Sequence, residues 1–399
     1  MRVSPSLSLI VPLLALACAD PAVTPSASNV SPLAGGAIAS YTAVDLGDFI
    51  PVAINESGLI LGTQSGHAAL WDHGVITDLG TLGGPLSYPV ALNNSGEAVG
   101  YSTTAAATTC PFSSVDPNCH AFLWDGTTMH DLGTLGGTFS AARGISANGA
   151  VVGWSTIATG EYHAFFWDGT TMQDLGTLGG PYSIAEAVNG AGHVVGLAQP
   201  ADGSDHAFEW DGAVMTDLGG LGGPSRARFI GNSGLIAGTS YNAAGQNRSV
   251  VWDRGVVRDL GTLNPGPDPY HDSFPHAMNA RGDVTGEACT GGDPYCFPHG
   301  YLWDGVTMHD MGTMGGDESY PTAINARGDV VGKSSTPTEV TCTEPAGEMC
   351  HAFLWDGSFH DLGTPFGGFA SSAVDINNRG DVVGYTRTDD FMRGVLWRK

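Results

Sequence analysis

Four residues of contrasting charge occupy one recurring place in this chain. Arg143, Glu186, Arg228 and His276 each stand two positions before an apolar residue of a repeated motif, at Ile145, Val188, Ile230 and Met278. Guanidinium, carboxylate, guanidinium and imidazole in that order could neutralise one another as a pairing ladder that hydrates a channel, or converge as a polar ligand site. The same groups offer a third chemistry, with Glu186 and His276 as acid and base acting on a polysaccharide. An insertion at 264–276 adds Asp268, Tyr270, His271 and Asp272, polar and aromatic residues of the kind that loops present to ligands. Six more histidines, His67, His120, His163, His206, His299 and His351, each open a run resembling H-A-F. A ring of imidazoles suggests a metal, but equivalent places in successive repeats are too far apart to ligate one ion. Each His is therefore expected to bond a turn of its own unit. Glu209, which replaces an apolar residue, is expected to reach solvent. No G-x-S-x-G, H-E-x-x-H, phosphate-loop or C-x-x-C pattern occurs, so no catalytic residue, metal ligand or cofactor is assigned.

The elements that must hold these residues are repeats. Eight tryptophans, Trp71, Trp124, Trp167, Trp210, Trp252, Trp303, Trp355 and Trp397, mark units of 42 or 43 residues that lengthen to 51 to 53 in three places. Each unit contains four short strand signals separated by glycine-rich turns, a pattern too short for helical crossovers and typical of propeller blades. In one copy, strand b precedes Ile145, strand c is Ala150–Trp154, strand d is His163–Trp167 and strand a is Met172–Leu175. Strand b carries Ala53, Ala91, Gly144, Ala187, Ala277 and Ala323, whereas strand d carries Phe and Trp; wedge-shaped gaps need small residues near the axis. Pro51, Pro89, Pro275 and Pro321 also lie on strand b, where proline requires an unpaired edge. Strand b is thus predicted to be innermost, and the fold an all-β, eight-bladed β-propeller of four-stranded antiparallel blades. Tyr41–Gly47 is left without a blade and Gly394–Trp397 without a partner, so these ends are predicted to pair and close the ring.

The runs H-A-F-L-W-D-G at His120 and His351 and D-L-G-T-L-G-G at Asp131 resemble the HAF repeat of extracellular bacterial proteins. The resemblance spans nearly all of 41–399 and implies export and a repeat fold, but no established activity. Copies depart from it at Ser249 and Arg393, where His is missing, and at Pro365 and Phe366.

Forty acidic against fifteen basic residues give a net charge of −25, which disfavours nucleic acid and anionic membranes. The same charge suits solubility, or a cationic partner such as calcium. Residues 1–18 read as an export signal, and A-L-A-C at Ala15–Cys18 resembles a lipobox, which would make Cys18 the lipidated first residue of an anchored protein. Ala15-x-Ala17 also suits simple secretion. Residues 19–40, rich in Ala, Pro and Ser, read as a tether, and 41–399 as the propeller. The remaining cysteines form three short pairs, Cys110 with Cys119, Cys289 with Cys296 and Cys342 with Cys350, each expected to be a disulfide within an inserted loop. Insertions at 101–119, 287–298, 333–350 and 264–276 all emerge on one face, because antiparallel strands alternate direction. Three functions are compatible with this sequence: binding of an extracellular glycan or protein at the elaborated face, a polysaccharide hydrolase or lyase, and a purely structural envelope role.

Overall fold

The computed structural model describes residues 41–105, 110, 118–264, 271–291, 296–338, 342, 350–389 and 391–399. The leader with Cys18, the tether, and Asp268 and Tyr270 lie outside the described residues.

Apolar residues in the V-V-G and A-F-L-W runs have only each other to bury against, and they do so as eight four-stranded antiparallel meanders in the order b, c, d, a. The third is Gly136–Ile145, Val151–Ile157, Tyr162–Trp167 and Met172–Asp174. Blades 2 and 3 are further joined by one parallel pair, Phe139 with Cys119. Strand b pairs only with strand c within its blade and is largely buried, whereas strand a, as in Val75–Asp78, is exposed; strand b is therefore the inner edge. The eighth blade, Ala370–Ile376, Val382–Arg387 and Met392–Arg398, takes its fourth strand from Thr42–Gly47. The register runs Thr42 with Arg398, Ala43 with Trp397 and Val44 with Leu396. The chain is a β-propeller, and its first strand completes its last blade.

Its core lies between blades. Phe208 and Trp210 of blade 4, for instance, bury against Val152 and Ala164 of blade 3. Small residues line the axial end, with two exceptions: Phe229 and Asp375 take the place held by alanine or glycine in the other six blades.

Two repeated motifs gain a physical explanation. Strand b carries a β-bulge at one position in every blade, occupied by Val52, Val90, Arg143, Glu186, Arg228, His276, Thr322 and Val374. Arg143, for example, is the extra residue between Ala142, which faces Gly153, and Gly144, which faces Val152. The glycine of V-V-G sits opposite, and a Cβ there would strike the carbonyl oxygen two residues before the bulge, such as that of Ala141 or Ile184. The recurring Gly therefore exists to admit the recurring bulge. The Asn that opens the N-x-x-G turn between strands b and c acts through its side chain. Asn55 Oδ1 accepts the N–H groups of Ser57 and Leu59, and its Nδ2 donates to Asn93 O of the next blade at 3.2 Å. The same link joins Asn93 to Ser146, Asn189 to Gly231, Asn279 to Asn325, Asn325 to Asn377, and Asn377 to Asn55. A second link, not anticipated from the sequence, uses a serine of strand b three residues before the bulge. Ser87 Oγ accepts from Ala68 N and donates to Gly80 O of the preceding blade, and Ser140 and Ser183 repeat this.

Candidate functional site

The bulge decides where the site lies. It re-aims one side chain per blade at the inner edge of the ring, and Thr322 shows the direction: its Oγ1 donates to Ala373 O of the following blade at 3.0 Å. Around the ring this position is apolar in blades 8, 1 and 2 (Val374, Val52, Val90) and ionisable in blades 3 to 6.

The four residues singled out from the sequence fall into two networks. Glu186 is 3% exposed and ion-pairs with Arg226 of the next blade. Burial pushes the Glu186 carboxyl up, but Arg226, Arg143 and Arg228 together override it and hold it below its ordinary value. Arg228 is drawn down to about 10, by burial and by the like charges of Arg226 and Arg143, with Glu186 opposing. Three guanidiniums thus surround one carboxylate. His276 does not join them: its Nε2 lies 3.7 Å from Glu287 Oε2 on its own blade. The charged neighbour of His276 is thus Glu287, and that of Glu186 is Arg226.

Arg226 was missed in the sequence, although a signal existed. It stands two residues before the bulge, where the other blades have Ile50, Tyr88, Ala141, Ile184, Phe274, Tyr320 and Ser372, none of them charged. Aromatic side chains on the same half of the blades were also missed. Tyr88 stacks on Tyr101 with centroids 4.9 Å apart, and Trp154 stacks on Phe139 at 4.6 Å. These rings pack with Cys110 and Cys119, so the first inserted loop is rooted beside them. Tyr101 is raised well above its ordinary value by burial and by Tyr88, with the neighbouring Arg143 opposing.

His271 and Asp272 serve the crossing from blade 5 to blade 6. His271 Nδ1 bonds Asn264 O at 2.8 Å, its own carbonyl accepts from Arg248 Nη1, and Asp272 Oδ1 accepts from Asn247 N at 2.7 Å. These contacts belong to the start of strand d rather than to the axial arc. All three cysteine pairs are disulfides within their own loops, with Cα atoms 5.9, 5.3 and 5.3 Å apart. The third loop is tied down further, since Cys342 N donates to the buried Glu318.

The repeated histidines bond within their own blades. His67, His120, His163, His206, His299 and His351 each place Nδ1 against the Asp of D-L-G, namely Asp78, Asp131, Asp174, Asp217, Asp310 and Asp361. The same Asp accepts the N–H of the glycine two residues on, as Asp131 does from Gly133 at 2.8 Å. Where His is missing, an arginine serves. The residue in register is Arg248 rather than Ser249, and it pairs with Asp259; Arg393 pairs with Asp45 of the first strand. Glu209 does not simply reach solvent, because it takes His193 Nδ1 at 2.8 Å. Among the described residues no group of three or more His, Cys, Asp or Glu is placed to hold a metal ion.

No family model matches the chain, and no curated protein matches it. Solved structures similar to it include the β-propeller domain of the trilobed protease from Pyrococcus furiosus, 9% identical over 82% of this chain and 98% of that one, with a TM-score of 0.45. The SapL1 lectin in complex with alpha methyl fucoside is 13% identical over 79% of this chain and 94% of that one, at 0.34. AofleA from Arthrobotrys oligospora is 11% identical over 68% and 88%, at 0.33.

Proposed function

We propose that this protein is an exported, non-enzymatic propeller, lipid-anchored at Cys18, that binds a glycan or protein through the face bearing its inserted loops. One observation carries the reading: a position presented at the axis by the same bulge in all eight blades varies in chemistry around the ring, with its ionisable members confined to blades 3 to 6. Positions serving only blade packing repeat here, as the His–Asp pairs and the Asn links do, whereas an asymmetric ligand needs an asymmetric wall. Three disulfides support a location outside the cytoplasm, and the resemblance to HAF repeats points the same way. A glycan array and a protein pull-down with the whole exported chain test the reading. A retained ligand is expected, and it should be lost when Arg143, Glu186, Arg228 and His276 are replaced together in a chain that still folds. Failure to retain anything in either screen would leave a structural envelope role.

A further inference from the structure

The arc around Glu186 holds more hydrogen-bond donors than it can use. Glu186 offers one carboxylate and spends an oxygen on Arg226, while the charges of Arg143 and Arg228 also act on it. Among the described residues the Nε atoms of Arg226 and Arg228, and the indole Nε1 of Trp154 nearby, are buried without a hydrogen-bond partner. All three are donors. Buried donors left unmatched each cost about 1–3 kcal/mol, and more when charged, so the surplus favours an acceptor-rich occupant. The charge surplus agrees, with three guanidiniums to one carboxylate in a chain whose net charge is −25.

We infer that the Arg143–Arg226–Arg228 cluster is the recognition site for a single anionic group, the carboxylate of an acidic sugar at the end of a glycan. The inference rests on the proposed binding role and gives it a ligand class. Guanidiniums present paired donors that match a carboxylate's two oxygens. The partly exposed rings of Trp154, on the strand beside that of Arg143, and of Tyr88, on strand b of the preceding blade, supply flat apolar faces on which a sugar ring can lie. The remainder of the surface is acidic and repels a long polyanion, which selects a ligand with one charge at its tip over one charged throughout.

The test uses the whole exported chain and a disaccharide ending in a uronic acid, against the same disaccharide ending in glucose. Calorimetric titration is expected to show at least tenfold tighter binding of the acid, weakening with salt. Arg228→Gln, which leaves the Arg226–Glu186 pair intact, should lose at least tenfold in affinity with little change in Tm. Glu186→Gln should bind the acid as tightly as the parent or more tightly, because it frees Arg226; a ladder that merely neutralises itself gives no such gain. Inorganic sulfate serves as a bare anion, and its stabilisation of the parent but not of Arg228→Gln would support the anion site even if every saccharide failed, in which case the sugar assignment falls and the anion site stands. Equal binding of the acidic and neutral disaccharides, or unchanged affinity in Arg228→Gln, would overturn the inference while leaving glycan binding in place. Tighter binding of an acidic peptide than of the uronic acid would overturn the sugar assignment.

Discussion

The seam between blades 8 and 1 and the arc of blades 3 to 5 both break the repeat at the axis, and they break it in different ways. At the seam the bulge residues stay apolar, and the departures lie beside them. Phe49, fully buried, replaces the serine that links the other blades. Asp375 replaces alanine and accepts Ile54 N across the seam at 2.8 Å. In the arc the bulge residues themselves change, to Arg143, Glu186 and Arg228, and Arg226 and Phe229 of blade 5 change beside them. The departures at the seam are spent on cross-blade packing, whereas those in the arc leave guanidinium donors that their one carboxylate does not take up. The two regions therefore predict opposite phenotypes, with stability governed by one and binding by the other.

Removing Tyr41–Gly47 should have the largest effect. It deletes the pairing with Met392–Arg398, the buried Leu46, the Tyr41–Gly380 hydrogen bond and the Asp45–Arg393 ion pair. Loss of a core leucine alone costs about 2–5 kcal/mol, and the strand's hydrogen bonds add to that. Deleting 19–40 should leave the melting curve in place. If both truncations melt alike, the first strand does not secure the seam.

Asp375 gives the seam a pH dependence opposite in sign to that of Glu186 in the arc, whose lowered carboxyl contributes stability that is lost as pH falls. Burial, assisted by Glu56, raises the pKa of Asp375 from 3.8 to about 7, although the N–H groups of Ile54 and Ile376 oppose the rise. The folded state therefore holds a proton that the unfolded chain has already released. Its contribution is fully present below about pH 4 and is lost as pH climbs through about 7, an upper bound of about 4 kcal/mol for this site. Chemical denaturation of the parent and of Asp375→Asn at pH 5 and pH 8 isolates it. The variant should close most of the gap between the two pH values, and an unchanged gap would mean that Asp375 is ionised in the fold without cost.

How much of this was legible in the sequence follows from the same distinction. The blade count, the inner position of strand b, the pairing of the ends and the cysteine partners could all be read, because each rests on a pattern stated many times over. The bulge could not, since its signature is a glycine on the adjacent strand and V-V-G reads as an ordinary strand. The bulge itself would not have separated His276 from the arginines, because His276 occupies it in blade 6. Sequence order set it beside Arg228, whereas its ring turns to Glu287 on its own blade. Arg226 was hidden because attention fell on one column of the repeat and this residue stands in another.

Within the arc, Arg226→Ala should destabilise by about 2–3 kcal/mol, somewhat below the usual cost of orphaning a buried charge because Arg143 and Arg228 remain near Glu186. Adding Glu186→Gln to that variant should restore most of the loss. Additive losses in the thermodynamic cycle would mean that the pair is not coupled, and that the donors of the arc are not in surplus.

The smallest effect separates the recurring histidines from both regions. His163 meets Asp174 with Nδ1 at 2.9 Å on a partly exposed part of the blade, where such a pair contributes about 0.5–1 kcal/mol. His163→Ala should lower stability by about that much and leave ligand affinity in the folded fraction unchanged. Two blades already use arginine for this contact, through Arg248 with Asp259 and Arg393 with Asp45. His163→Arg should therefore be close to neutral at pH 7. Burial works against the ionised form of Asp131, but hydrogen bonds from His120 and Gly133 N hold its carboxyl below the ordinary range, so that pair persists as pH falls and is lost only when the aspartate itself protonates. Loss of binding in His163→Arg at full stability would transfer the site from the bulge residues to the histidine ring.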